Sequence, residues 1–355
     1  MKKIDYIIVG MGLAGCCLAV QLLRRGKKIL VYDQPGRNRA TAVAAGLFNP
    51  VTGQRVVRSW KADLIFPYLH EFYSTLEKQY GVHFYNVSPV YTPFRSVGEQ
   101  NDWIARTSDG SFDMYGLKIL ASDAYSDQVK DPLGGIEVGR AGYITTSILL
   151  DAVRNDLIQR ESYREEPFDE TRIKSSRSSI LYDDTEAGKV IFCTGVHGMN
   201  SKYFGSLNLK PLKGEVLTVL LKERLKRIYN RGAYLIETNA NEYKVGSTYD
   251  LKRVSEGVTE VARKELETKL IDLLRIPFEV AHQDWGIRPA TGDRRPLLGV
   301  SPLDENILIF NGLGTKGVSL APYFSGQLAD YLIGRGKLDQ EANISRLKSL
   351  YSMFR

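Results

Sequence analysis

The chain opens with a short apolar run, residues 4–9 (IDYIIV), that suits a strand buried in a parallel sheet. Residues 13–25 (LAGCCLAVQLLRR) follow with apolar positions at helical spacing, and Gly26 stands where that helix would end. Arg24, Arg25, Lys27 and Lys28 gather at that end, where the helix dipole favours cations. Residues 29–32 (ILVY) predict a second strand, closed by Asp33. Two later runs repeat the strand pattern. One is KVIFCTG at 189–195; the other is ILIFNGLGTKGVSLAP at 307–322, a strand that leads into a glycine-rich loop and a helix start. In between, 213–221 and 243–248 read as strands, and 257–274 has helical spacing. The pattern predicts an α/β chain, α+β overall, with a Rossmann-like beginning.

The turn after the first strand is GMGLAG. Gly10 makes the tight turn and Gly12 lets the backbone approach a pyrophosphate. Gly15 lets the helix pack on the strand, and Leu13 and Ala14 lie among the first helical N–H groups, which face the phosphates. Asp33, eighteen residues after Gly15, is placed to accept hydrogen bonds from a ribose. Strand, helix, strand and acid together predict a dinucleotide site; the alternative is a glycine-rich turn without a ligand. Three further segments choose between dinucleotides. TAVAAGLFNPVTGQR (41–55) carries Ala45, Gly46, Leu47 and Gly53, Thr194 and Gly195 end a strand, and Gly312, Gly314, Thr315, Lys316, Gly317 and Val318 form the late loop. Segments so far apart in sequence imply one long ligand, and FAD fits that better than NAD.

With 355 residues, 43% hydrophobic and 25% charged, the chain is long enough for two domains and has ordinary globular composition. The formal charge of +7 permits a polyanionic partner without demanding one. Cys16, Cys17 and Cys193 have no CxxC spacing and the four histidines are scattered, so neither a metal site nor a disulfide framework is expected. A cytoplasmic location and no membrane span are the expectation. The first 23 residues also carry lysines, an apolar run and LAGC, as a lipoprotein signal does; Asp5 and the glycine spacing argue against that reading.

Several motifs along nearly the whole chain resemble one family. They are GMGLAG with Asp33, AAGLFNP, PLKGEVLTV (211–219), YLIETNANEYKVGSTYD (234–250), DWGIRPATGDRRPLLG (284–299) and GLGTKGVSLAP. The chain resembles the FAD-dependent oxidoreductases of the D-amino-acid oxidase and glycine oxidase type. That group includes sarcosine oxidases and the flavin domain of the bifunctional wobble-uridine tRNA modification enzyme. The resemblance implies a Rossmann-like FAD-binding domain, at residues 1–80, 140–205 and 285–355, interleaved with a mostly antiparallel substrate domain at 81–139 and 206–284. It implies non-covalent FAD and a small amine or amino-acid substrate whose C–N bond is oxidised by hydride transfer.

Arg288 matches the arginine that holds the substrate carboxylate in that family, a task suited to a planar guanidinium fork. Pairing with Asp284 or Asp293 is the structural alternative. Tyr234 matches a tyrosine that lies over the substrate; otherwise it is a half-buried strand residue. Lys316, with the following helix N-terminus, is placed to stabilise negative charge on reduced flavin, or else is a solvated loop lysine. Where glycine oxidase carries a second arginine before Asn-Gly, this chain has Thr315 and then Lys316, which opens the question of the substrate. The electron acceptor is not encoded in these motifs. Two other readings remain at this level. One is removal of a carboxymethyl group from a tRNA wobble uridine, with RRGKK (24–28) and KERLKRIYNR (222–231) near phosphates. The other is a non-catalytic flavin subunit.

Overall fold

In the computed structural model the described residues are 1–37, 39–52, 57–207, 209–254 and 257–347. Gly53 of the 41–55 segment lies outside them. The chain divides into two compact units, each assembled from separate stretches. The first comprises Met1–Ala42, Ser147–Leu212 and Ile287–Arg355; the second comprises Val43–Thr146 and Lys213–Gly286.

The first unit is built on an eight-stranded mixed sheet. Five of its strands run parallel, in the spatial order Tyr163–Arg164, Ile29–Tyr32, Lys2–Val9, Thr185–Phe192 and Asp304–Asn311. Val190, Ile191 and Phe192 are all buried, as are Ile7 and Ile8, because both faces of a parallel sheet are covered. The helix Leu13–Arg24 is buried through most of its length and packs against the helix Gly317–Leu332. It stops where the sequence suggests. Gly26 takes φ +69°, its N–H reaches the Leu23 carbonyl at 2.9 Å, and Lys27 N–H reaches that of Leu22 at 3.0 Å. Cys16 and Cys17 lie buried inside this helix, and burial pushes the Cys16 thiol up to about 12.

The second unit holds most of another eight-stranded sheet, mostly antiparallel. Its order is Phe278–Ala290, Lys210–Leu221, Glu242–Gly246, Tyr234–Asn239, Ile228–Asn230, Val90–Pro93, Gly135–Val138 and Leu117–Leu120. One face packs on the helix Glu260–Leu273, where Leu217, Val219, Leu235, Tyr243 and Val245 meet Leu266, Leu270 and Leu273. Thr259 caps that helix, accepting from Ala262 N–H at 3.2 Å. The cap is itself held by Glu215, which accepts from Thr259 N–H at 2.7 Å and from its hydroxyl at 2.8 Å. Lys213 Nζ lies 3.2 Å from Glu215 Oε1, and both side chains are almost wholly buried. A buried pair of this kind is costly to break on one side only.

Leu270→Ala is expected to lower stability by about 2–5 kcal/mol, the cost of a cavity in a closed core. Ile271→Ala, next to it but 58% exposed, should stay within about 0.5 kcal/mol. Urea denaturation of the two variants checks the contrast.

Candidate functional site

The carboxyl ends of three adjacent parallel strands carry most of the residues singled out from the sequence. Lys2–Val9 ends at Gly10, Thr185–Phe192 leads to Thr194–Gly195, and Asp304–Asn311 leads to Gly312–Val318. In open parallel sheets this edge is where ligands bind.

The first turn is tight for a reason the packing makes plain. Gly10 has φ +92°, and a Cβ there would stand 2.7 Å from the Cys193 carbonyl oxygen. A Cβ at Gly15 would stand 1.9 Å from the carbonyl oxygen of Gly10. Gly12 differs: only Thr41 Oγ1, at 3.2 Å, lies near the place its Cβ would take. Gly12 is the N-cap of the helix Leu13–Arg24, with no side-chain cap, no acid in the first turn, and Leu13 N–H directed to Thr41 Oγ1 at 3.3 Å. Ala14 is buried in that first turn. An open helix N-terminus next to a glycine fits the pyrophosphate of a dinucleotide. Asp33 closes the neighbouring strand and is 3% exposed. Its Oδ1 accepts from Met11 N–H at 2.9 Å and its Oδ2 from the Tyr163 hydroxyl at 3.3 Å.

Asn311 ties the other two ends together and was not singled out from the sequence. Its side-chain amide donates to the Gly195 carbonyl at 2.8 Å and its Oδ1 accepts from Gly312 N–H at 2.9 Å. Gly195, Gly312 and Gly314 all have positive φ. Gly317 packs so closely on Leu13 that a Cβ would lie 3.2 Å from its Cδ1. Thr315 is exposed and Val318 buried. Lys316 is half-buried, and its amine is held below the usual lysine range, first by burial and then by the charges of Arg294 and Arg295. The helix Gly317–Leu332 has no acid in its first turn and no side-chain cap.

The DWGIRPATGDRRPLLG stretch is a strand, a turn and a strand. Residues through Ala290 finish the strand Phe278–Ala290, and Leu297–Ser301 begins after the turn. Arg288 is half-buried on the first of these strands. Asp293 is bound by Arg346 at 2.7 Å, and Asp284 lies 3.3 Å from His282 Nε2.

In the second unit, Gly46 takes φ +74°, and a Cβ there would stand 1.8 Å from the Ile144 carbonyl oxygen. Ala45 is buried, and Leu47 pairs with Tyr143. The chain's own packing therefore accounts for the glycine. Tyr234 starts the strand Tyr234–Asn239 opposite Gly246, whose Cβ would stand 2.7 Å from the phenol oxygen. Ile236 and Lys244 are paired on the same sheet face. Lys244 donates to the Val43 carbonyl at 3.1 Å, and burial holds its amine below the usual range. Only its place in the strand alternation could have marked it.

One cation of the first basic cluster and three of the second are bound to acids. Arg25 binds Asp330 at 2.8 Å. Arg224 binds Glu237, Lys226 binds Asp127, and Arg227 binds Glu137. Among the described residues no helix is long and apolar enough to cross a membrane, and no cluster of metal-binding side chains is found. His197 is exposed.

The DAO family model, described as FAD dependent oxidoreductase, matches residues 5–332. This chain belongs to the DAO family. It is an FAD-dependent oxidoreductase. It is 29% identical to the glycine oxidase of Bacillus subtilis over 362 residues, covering 94% of each chain. It is 23% identical to the bifunctional protein ThiO/ThiG of Trichormus variabilis over 361 residues, and spans 93% of itself but 52%, about half, of that relative. It is also 23% identical, over 324 residues, to the tRNA 5-methylaminomethyl-2-thiouridine biosynthesis bifunctional protein MnmC of Legionella pneumophila, covering 83% of this chain and 45% of that one. Glycine oxidase from Bacillus cereus shares the fold with TM-score 0.79 at 18% identity, covering 94% and 96% of the two chains. Iminodiacetate oxidase from Chelativorans does so with TM-score 0.76 at 18% identity, covering 95% and 98%.

Because burial and two arginines disfavour the charged form of Lys316, its ammonium destabilises the flavin-free protein. That penalty is full below the folded pKa and is relieved as pH rises from there toward the ordinary lysine value. Lys316→Met should therefore raise the melting temperature of the flavin-free DAO protein at neutral pH, and the gap should narrow in alkali. Thermal melts across that pH range check it.

Proposed function

We propose that this DAO-family enzyme oxidises the C–N bond of a small amino acid or secondary amine bearing a carboxylate, with Arg288 receiving the acid. The carrying observation is local to the first unit. Just past Arg288, Ala290 Cα lies 3.8 Å from the Cβ position of Gly314, and Thr291 Cγ2 lies 2.9 Å from that of Gly312. The arginine thus sits where its strand end runs along the glycine-rich loop. The relatives lend support, since glycine and iminodiacetate are both amines that carry a carboxylate.

Bound FAD supplies the two-electron acceptor for such chemistry. Residues Gly10 to Gly15, Asp33, Thr194, Gly195 and Gly312 to Val318 are the ones that would hold it. The two helix N-termini favour its anionic parts, and Lys316, whose ammonium is disfavoured first by burial and then by Arg294 and Arg295, is stabilised by an anion nearby. Arg288 fixes a carboxylate by two parallel charge-assisted hydrogen bonds, so the amine end is presented in one orientation. Thr315 stands where a second arginine is found in glycine oxidase, which leaves one guanidinium for the acid. A tRNA-borne amine is the second reading, favoured by the Legionella relative. The local pairing of residues 224–227 with Glu237, Asp127 and Glu137 leaves fewer cations there for phosphates.

The test is anaerobic titration of the oxidised-flavin band with amino acids and N-alkyl glycines. One class should bleach it, and Arg288→Lys should raise the half-saturating concentration by roughly 10- to 100-fold. A flavin band that none of them bleaches would sink this reading. Modified tRNA would be tried next, and steeply salt-dependent binding would mark it as the substrate carrier.

A further inference from the structure

The ladder between the strands Thr185–Phe192 and Asp304–Asn311 ends with the pairing of Phe192 and Ile309. Past that pair both chains turn out of the sheet through left-handed glycines, Gly195 at φ +57° and Gly312 at φ +71°. Strand pairing stops short of both turns, and a side chain bridges them. Asn311 is 2% exposed, and its backbone is fixed from the other side by pairing with Leu297. Its carboxamide donates to the Gly195 carbonyl at 2.8 Å and accepts from Gly312 N–H at 2.9 Å.

A carboxamide suits this task because it offers a donor and an acceptor together, as a peptide group does. Leucine has nearly the same size and neither. The turn Gly195–Asn200 also packs on the amide, since a Cβ at Gly198 would stand 2.9 Å from Asn311 Nδ2.

We infer that Asn311 is a positioning residue for the cofactor: by tying Gly195 to Gly312 it sets the late glycine loop for the flavin half of FAD. This rests on the cofactor reading above, with residues 10–15 and Asp33 toward the ADP half and residues 312–318 toward the flavin half. Without the tie the loop spends less of its time in the binding arrangement, and apparent affinity falls with that fraction.

The ADP half separates this role from a structural one. Flavin-free protein would be titrated with FAD by flavin fluorescence and with ADP by calorimetry. Asn311→Leu should weaken FAD roughly tenfold and leave ADP within about twofold, as expected for a lost buried hydrogen bond felt only at the loop. Gly198→Ala, which crowds the amide without removing it, should act in the same direction and less. If ADP weakens by the same factor as FAD, the carboxamide merely supports the fold and the inference is overturned. It is overturned equally if FAD binding is unchanged. Should Asn311→Leu fail to fold, Gly198→Ala is judged by the same two readings. Gly312→Ala deforms the loop directly, because its Cβ would stand 2.9 Å from Leu297 Cγ and Thr291 Cγ2. If it weakens FAD alone while Asn311→Leu does not, only the inference falls. If Gly312→Ala also leaves FAD unchanged relative to ADP, the cofactor reading of the loop fails and takes the inference with it.

Discussion

The approach of Gly15 to Gly10 sets the geometry of the first unit. With 1.9 Å between a would-be Cβ and a backbone oxygen, no larger residue lets the helix Leu13–Arg24 start directly behind the strand Lys2–Val9. That start leaves Gly12 uncapped at the sheet edge. The neighbouring strand end closes on the same turn, since Cys193 N–H reaches the Val9 carbonyl at 2.8 Å and its own oxygen bounds the space at Gly10. Asn311 carries the constraint across to the late loop. The glycines thus bring the chain's separate segments to one edge by backbone contact, and the chemistry at that edge is inherited from where N–H groups and helix ends point.

Charge is distributed in keeping with this. The chain carries +7 overall, yet the cations that look most available in sequence are matched locally, as at Arg25 and Arg224–Arg227. At Lys316, burial first and then the charges of Arg294 and Arg295 disfavour the ammonium.

The glycine pattern was legible because glycine encodes backbone geometry directly. Gly10, Gly15 and the strand–loop–helix at 307–322 could be read without knowing any neighbour. What depends on register between distant strands was not legible. Asn311, Tyr163 and Lys244 are ordinary residues in sequence, and only pairing puts them beside Gly195, Asp33 and Val43. The contact of Gly46 with the Ile144 carbonyl is likewise a product of pairing between distant segments. The run DWGIRPATGDRRPLLG has the composition of a loop, but its first half is strand. Phe278–Ala290 is the edge strand of its sheet, and an edge tolerates Pro289, whose missing N–H would break a central ladder.

Substrate identity is the least legible property, and under the proposed role of Tyr234 the second unit shows why. Tyr234, Ile236 and Lys244 share one sheet face, while Leu235, Tyr243 and Val245 take the other. Side chains in a strand alternate, so a slip of one residue in Glu242–Gly246 would exchange Lys244 for Tyr243. On the Tyr234 face the Lys244–Val43 hydrogen bond opposes this. Restraint also comes from the opposite side, where Leu266, Leu270 and Leu273 bury Tyr243 and Val245, and from the Glu215–Thr259 contact that fixes where their helix begins. Which polar groups that face presents therefore depends on apolar packing on its back, and under the proposed function that is why motifs read along the chain identify the family before they identify what it oxidises.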